Sequence, residues 1–83
     1  MASEKKSQQD TCSRVVRILK TEREKRHLSM NLVAERAGLS QQMVSYVERE
    51  MRNPTLETLL RIAAAIGVDL SAVIRRAMDS KGK

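Results

Sequence analysis

Residues 29–49 constrain the fold more than any other part of the chain, because their pattern predicts two short helices joined by a tight turn. Ser29 is a suitable N-cap for the first of these helices. The inward face of that helix carries small or branched apolar residues at helical spacing, namely Val33, Ala34 and Ala37. Gly38 ends the helix, because the residue just past a helix end often takes a positive φ, which Gly adopts without strain.

The second helix of the pair begins after Ser40, another suitable N-cap, and buries Val44 and Val47. Its outward face carries Gln41, Gln42, Met43, Ser45, Tyr46 and Arg49. Helices this short are marginal in water on their own, so both need a scaffold. Ala34 lets the two helices cross closely, where a larger side chain would overpack the joint.

The rest of the chain predicts that scaffold. A first helix over residues 11–26 has an inward stripe of Val15, Ile18, Leu19 and Glu22. Thr55 caps a fourth helix over residues 56–66, with core side chains Leu59, Leu60, Ile62, Ala63 and Ile66. Gly67 ends that helix, and a last helix capped by Asp69 repeats apolar residues at Leu70, Val73, Ile74, Ala77 and Met78. The expected fold is all-α, a compact bundle of five short helices.

Length and polarity predict one small domain of 83 residues. Residues 1–10 are polar without an apolar period and are expected to form a disordered arm, residues 11–79 the domain, and residues 80–83 a frayed tail. No apolar run approaches a membrane span and no signal sequence is recognisable, so we expect no membrane association and a cytoplasmic location. A single cysteine, Cys12, permits no internal disulfide.

The net charge of +6 favours a polyanionic partner, of which nucleic acid is the commonest. Tyr46 is the only aromatic residue, so the stacking platforms of single-strand and RNA binders are missing and duplex DNA is favoured. His27 is the only histidine, and the chain has no zinc spacing, Gly-rich phosphate loop or Ser/His/Asp arrangement. We therefore expect no enzyme activity, no metal, no cofactor and no small-molecule effector.

Several motifs together resemble the lambda-repressor-like, or Cro/repressor-type (XRE), helix-turn-helix family over residues 15–74. They are the LS pair at residues 28–29, VAERAGLS at 33–40, V-S-x-V-E at 44–48, NPTLETLLRIA at 53–63 and AIGV at 65–68. The NPTLETL wording and the small size are similar to restriction-modification controller proteins and related small bacterial repressors. The resemblance implies a bacterial DNA-binding transcription regulator.

The resemblance and the exposed pattern together assign site residues. The helix from Gln41 is expected to enter the major groove and read bases with Gln41, Gln42, Ser45 and Tyr46. Packing of Tyr46 against Pro54 is the alternative for that ring. Phosphate contacts are expected from Ser29, Ser40, Arg49, Arg52, Asn53 and Thr55.

One recognition helix reads too few bases to single out a site, so we expect a homodimer on a palindromic operator. The last helix is the candidate dimer interface through Leu70, Val73, Ile74, Ala77 and Met78, with burial inside one subunit as the alternative. A different function remains open, that of a protein-binding adapter such as an antitoxin or a coactivator. Its protein partner would meet an adaptable apolar surface formed by Met30, Leu32, Met43 and Met51.

Two helix ends carry residues other than the glycine that the resemblance leads one to expect. His27 follows the first helix, and Glu50 follows the second helix of the motif. Either the helix before Glu50 runs on, or Glu50 accepts backbone strain of about 1 kcal/mol or more.

Overall fold

The computed structural model describes the backbone of residues 2–81 and the side-chain surroundings of residues 10–79. Within that part the chain forms five helices and no strand, α1 (Ala2–Lys25), α2 (Met30–Ala37), α3 (Gln41–Glu48), α4 (Leu56–Ile66) and α5 (Leu70–Lys81). This confirms the all-α class and the five-helix order. None of the helices in the described part is both long and apolar enough to span a bilayer.

Helix α1 starts earlier than the sequence predicts. It begins at Ala2, so residues 2–10 are helical and the expected disordered arm is wrong for them. Residues 2–10 contain neither Pro nor Gly, and a helix extends at little cost once a packed segment has nucleated it. At the other end α5 continues to Lys81, while residues 1, 82 and 83 lie outside the described residues.

The predicted helix ends are present in the structure. Each N-cap hydroxyl oxygen accepts the backbone N–H three residues on, at 3.0–3.1 Å, in the three cases Ser29, Ser40 and Thr55. Gly38 and Gly67 follow α2 and α4 with φ of 71° and 95°. The local signals for starting and stopping these helices were therefore read correctly.

The core lies where the five helices meet, with most of the predicted apolar stripes inside it. Glu22 is buried as predicted. Its carboxylate accepts hydrogen bonds from Arg26, one turn further along α1, and from Arg76 of α5, the latter at 3.4 Å. The hydrogen bond from Arg26, helped by Lys25 and Arg76, lowers the pKa of Glu22. The prediction that Leu60 lies in the core is wrong, because its side chain is 51% exposed. It lies on the face of α4 opposite Ile62 and Ile66, which take the buried positions.

Helix α5 closes the core of the subunit and so corrects part of the predicted dimer interface. Leu70, Val73 and Ala77 are buried within this chain, since α5 packs along α1 and α4. Burial inside one subunit was the stated alternative for these three side chains, and they leave almost no surface for a second chain. Ile74 is half-buried and Met78 is 58% exposed. Of the five predicted interface residues, only these two keep an accessible side chain.

A bidentate ion pair ties α1 to the last turn of α3. Arg23 donates from Nε to Glu48 Oε2 at 2.7 Å and from Nη2 to Oε1 at 3.0 Å, and from Nη1 to the Leu28 carbonyl at 2.7 Å. The side chains are only 11% and 8% exposed. The hydrogen bond to Glu48 raises the pKa of Arg23. The pair holds the end of α3 against α1 with a defined geometry.

His27 and Glu50 both take positive φ, at 58° and 59°. Helix α3 therefore stops before Glu50, and of the two alternatives the backbone strain is the one that the structure adopts. The Glu50 carboxylate accepts the Ser13 hydroxyl and pairs with Arg17 at 3.5 Å, which connects this loop to α1.

We predict that Glu48→Gln lowers the free energy of unfolding by about 3 kcal/mol, because it removes the buried counter-charge of Arg23 and leaves only the exposed Glu24 carboxylate, at 3.9 Å. Urea unfolding followed by circular dichroism measures this. The matched control is the double variant Arg23→Met with Glu48→Leu, which removes both charges and should recover most of the loss. Arg23→Met and Glu48→Leu are also made singly, and a loss in the double variant equal to the sum of these two single losses would contradict the assigned coupling.

We predict that His27→Gly raises the free energy of unfolding by about 1 kcal/mol relative to His27→Ala, because Gly relieves the positive φ. His27→Ala is the matched control, since it removes the imidazole and keeps the strain. Thermal unfolding of both variants decides the point. Equal stability of the two would show that the backbone here stores no strain.

Candidate nucleic-acid interface

Helix α3 separates its residues into a buried face and an outward face. Val44 and Val47 are fully buried against the scaffold. The predicted base readers lie on the other side, where Gln41 and Gln42 are exposed and Ser45 and Tyr46 are half-buried. The structure therefore brings all four together on one face.

These four residues share a shallow, open groove with two others. Met30 at the start of α2 and Arg49 just after α3 complete its lining. Sequence reasoning assigned Arg49 to phosphate but gave Met30 no part in this surface. The position of Met30 could have indicated its part in the groove, because it is the first residue of α2, directly after the N-cap Ser29.

The groove contains a chain of side-chain contacts. Gln42 donates from Nε2 to the Tyr46 hydroxyl at 2.6 Å. The Arg52 guanidinium lies 5.6 Å from the centroid of the Tyr46 ring, a cation–π distance. Pro54 was the alternative packing partner for the Tyr46 ring. It lines a different concavity, between α1 and the loop after α3.

Half of the ten arginines have no carboxylate partner among the described side chains, and the two beside α3 are among these. Five arginines pair with carboxylates among the described side chains, namely Arg17, Arg23, Arg26, Arg61 and Arg76. Arg49 and Arg52 are exposed and make no such pair with any residue whose side chain is described. Asn53 is exposed beside them. Uncompensated cations next to a polar helix face suit a phosphate-bearing ligand.

The three predicted N-cap contacts are at helix starts, but their hydroxyl groups are not equivalent. The oxygens of Ser29 and Ser40 accept a backbone N–H, and a hydroxyl that accepts can still donate its own hydrogen. Thr55 also donates its hydroxyl to Thr58 Oγ1 at 3.0 Å. Thr55 therefore offers a ligand the N–H groups of its helix start more readily than its side chain.

The apolar surface expected for a protein-binding adapter is smaller than the sequence suggests. Met30, Leu32 and Met43 are half-buried, and Met43 packs against the core. Met51 alone of the four is fully on the surface. Among the residues with described side chains, no three His, Cys, Asp or Glu residues come together in a way that could hold a metal ion.

Comparison with known proteins matches a family model described as helix-turn-helix, HTH_3, to residues 19–73, from the last two turns of α1 into α5. An uncharacterized HTH-type transcriptional regulator of Mycobacterium tuberculosis is 39% identical over 59 residues, covering 71% of this chain and 42% of that protein. The immunity repressor protein of Bacillus phage phi105 is 38% identical over 56 residues, covering 68% of this chain and 39% of the repressor.

An uncharacterized HTH-type transcriptional regulator of Haemophilus influenzae is 32% identical over 66 residues, which cover 80% of this chain and 67% of that protein. The chain thus spans about two fifths of the length of the mycobacterial and phage relatives. The family match confirms the resemblance drawn from the motifs. The chain belongs to the XRE-type, lambda-repressor-like family of helix-turn-helix DNA-binding transcriptional regulators.

Proposed function

We propose that this protein is a sequence-specific regulator of transcription that binds double-stranded DNA with α3 in the major groove. One observation carries the proposal: the polar side chains Gln41, Gln42, Ser45 and Tyr46 share one open groove with Arg49. A helix that offers side chains in this way fits the width of the major groove. The names of the relatives, HTH-type transcriptional regulator and immunity repressor, support a regulatory role.

The two glutamines supply the sequence reading in this proposal. A Gln carboxamide donates to N7 and accepts from N6 of adenine, and such a bidentate pair discriminates against a wrong base by about 1–3 kcal/mol. Ser45 and Tyr46 lie one turn further along α3, where Ser45 reaches the adjoining base edge or sugar and Tyr46 lies beside Gln42. The proposal therefore places adenine at one or more positions of each half-site.

Phosphate contacts position the helix. Arg49 and Arg52 neutralise phosphates directly, and the starts of α2, α3 and α4, capped by Ser29, Ser40 and Thr55, offer N–H groups to neighbouring phosphates. Asn53 adds a neutral donor. The net charge of +6 supports this division, since phosphate neutralisation supplies most of the affinity that does not depend on sequence.

Selection of bound sequences from a random DNA pool tests the proposal, and two variants assign the roles. Gln42→Ala is expected to relax preference at one base position by about 1–3 kcal/mol, because a bidentate contact is lost. Arg49→Ala is expected to weaken all sequences alike and to reduce the slope of log K against log salt by about 0.9, one phosphate contact. Anisotropy titrations at several salt concentrations measure both effects.

Arg75→Ala is the matched control for Arg49→Ala, because Arg75 is an exposed cation on α5, which packs against α1 and α4. It should leave the salt slope unchanged. A wild-type protein that binds every duplex equally would contradict sequence-specific regulation. An exchange of the two effects between Gln42 and Arg49 would show that the roles are reversed.

We further propose that the protein acts as a homodimer on a palindrome whose half-sites lie about 34–36 Å apart. The apolar side chains that the core leaves exposed are the available contacts. They are Met51 in the loop after α3, Leu56 and Leu60, one turn apart on α4, and Met78 on α5. So few side chains bury much less than the roughly 1,200–2,000 Å² of a stable interface, so the dimer is expected to be weak in solution and to be completed on DNA.

We predict that a charge placed in the apolar interface abolishes dimerisation. Leu60→Asp tests a contact through α4, and Met78→Asp tests a contact through α5. Sedimentation of the protein with a duplex carrying one or two half-sites measures the stoichiometry and the cooperativity. Thr21→Asp, which adds the same charge to an exposed site on α1, is the control and should leave both unchanged. Independent binding of two wild-type monomers to the two half-sites would contradict the dimer.

A further inference from the structure

Two neighbouring glutamines on α3 differ in how they are held. Gln42 donates a hydrogen bond of 2.6 Å to Tyr46, which lies one turn further along the same face. Gln41 is also exposed, and its side chain makes no hydrogen bond with the described residues. One of the two groove glutamines is therefore oriented before any ligand arrives.

The acceptor of that hydrogen bond is itself restrained. The Tyr46 ring is half-buried, and the Arg52 guanidinium covers one side of it at 5.6 Å from the centroid. A cation over an aromatic face is attracted to the ring and limits its rotation. Arg52 comes from the loop after α3, so the hydroxyl position depends on two different segments of the chain.

The hydrogen bond leaves the carboxamide with the groups that adenine needs. An amide carries two N–H donors and one oxygen acceptor, and the contact with Tyr46 occupies one donor. One N–H and the oxygen remain, and these match N7 and N6 of adenine. The Tyr46 hydroxyl can accept from Nε2 or donate to Oε1, so the hydrogen bond fixes the place of the carboxamide in the groove, and the adenine edge selects which end faces it.

We propose that Tyr46 is a positioning residue that orients the Gln42 carboxamide for an adenine contact, with Arg52 holding the Tyr46 ring. The inference rests on the proposed function and extends it by naming the residue that sets specificity at one base. It assigns Tyr46 an action through Gln42 in place of an independent base contact. Because the Gln42 side chain is already restrained in the free protein, it loses less conformational entropy when DNA binds.

Tyr46→Phe tests the proposal because it keeps the ring and removes the hydroxyl. We expect preference for adenine over the other bases at the Gln42 position to fall about two- to tenfold, the range for one hydrogen bond, with preferences at other positions and the salt slope unchanged. In a Gln42→Ala background the same change should have no further effect, since the positioned group is already gone.

An additive effect of Tyr46→Phe in that background would overturn the proposal, because Tyr46 would then contact DNA on its own. A uniform loss over all sequences would overturn it as well. Both outcomes are read from the same selection and titration experiments that test the proposed function.

A second measurement uses the free protein and does not depend on DNA. NMR relaxation of the side-chain NH₂ groups should show Gln42 more ordered than Gln41, with the difference removed by Tyr46→Phe. Gln41 is the matched control, since it is the adjacent residue of the same type and exposure. Equal mobility of the two amides overturns the positioning role, whereas an ordered Gln42 in a protein without base preference overturns the adenine contact and the proposed function.

Discussion

The ion pair between Arg23 and Glu48 is the contact on which the arrangement of the motif most depends. Helices α2 and α3 are each eight residues long, too short to be stable or to hold an angle by themselves. Their apolar faces can pack in several ways, whereas two parallel hydrogen bonds from one guanidinium accept only one geometry. Because Glu48 is the last residue of α3 and Arg23 belongs to the longest helix, the pair relates the polar face of α3 to the whole scaffold.

The polar face is useful for recognition because the opposite face of the same helix is fully used in the core. Val44 and Val47 anchor α3, so its outward side chains move little relative to the domain. The contacts from Gln42 to Tyr46 and from Tyr46 to Arg52 continue this order onto the surface. A rigid backbone and partly ordered side chains reduce the entropy lost on binding, which favours specificity over general attraction to charge.

Prediction from the sequence succeeded where the controlling physics is local. N-caps at Ser29, Ser40 and Thr55 and glycine stops at Gly38 and Gly67 depend on residues a few positions apart, and all were identified. It failed for residues 2–10, where polarity indicated an arm, because low apolar content does not prevent a helix from extending out of a packed one. It also placed Leu60 in the core, since an apolar residue on a helix does not reveal which face a neighbour will cover.

The amino-acid sequence by itself determined the number of helices, the limits of α2, α3 and α4, the family and the polar face of α3, because short-range hydrogen bonding and helical periodicity depend on neighbouring residues. Only the tertiary structure decided that Leu70, Val73 and Ala77 close this subunit's own core, and that Arg49 and Arg52 stay without carboxylate partners among the described side chains. The ion pair between Arg23 and Glu48, which are 25 positions apart in the sequence, was likewise decided by the tertiary structure. Such outcomes depend on which distant surfaces meet, and local spacing along the chain does not specify that.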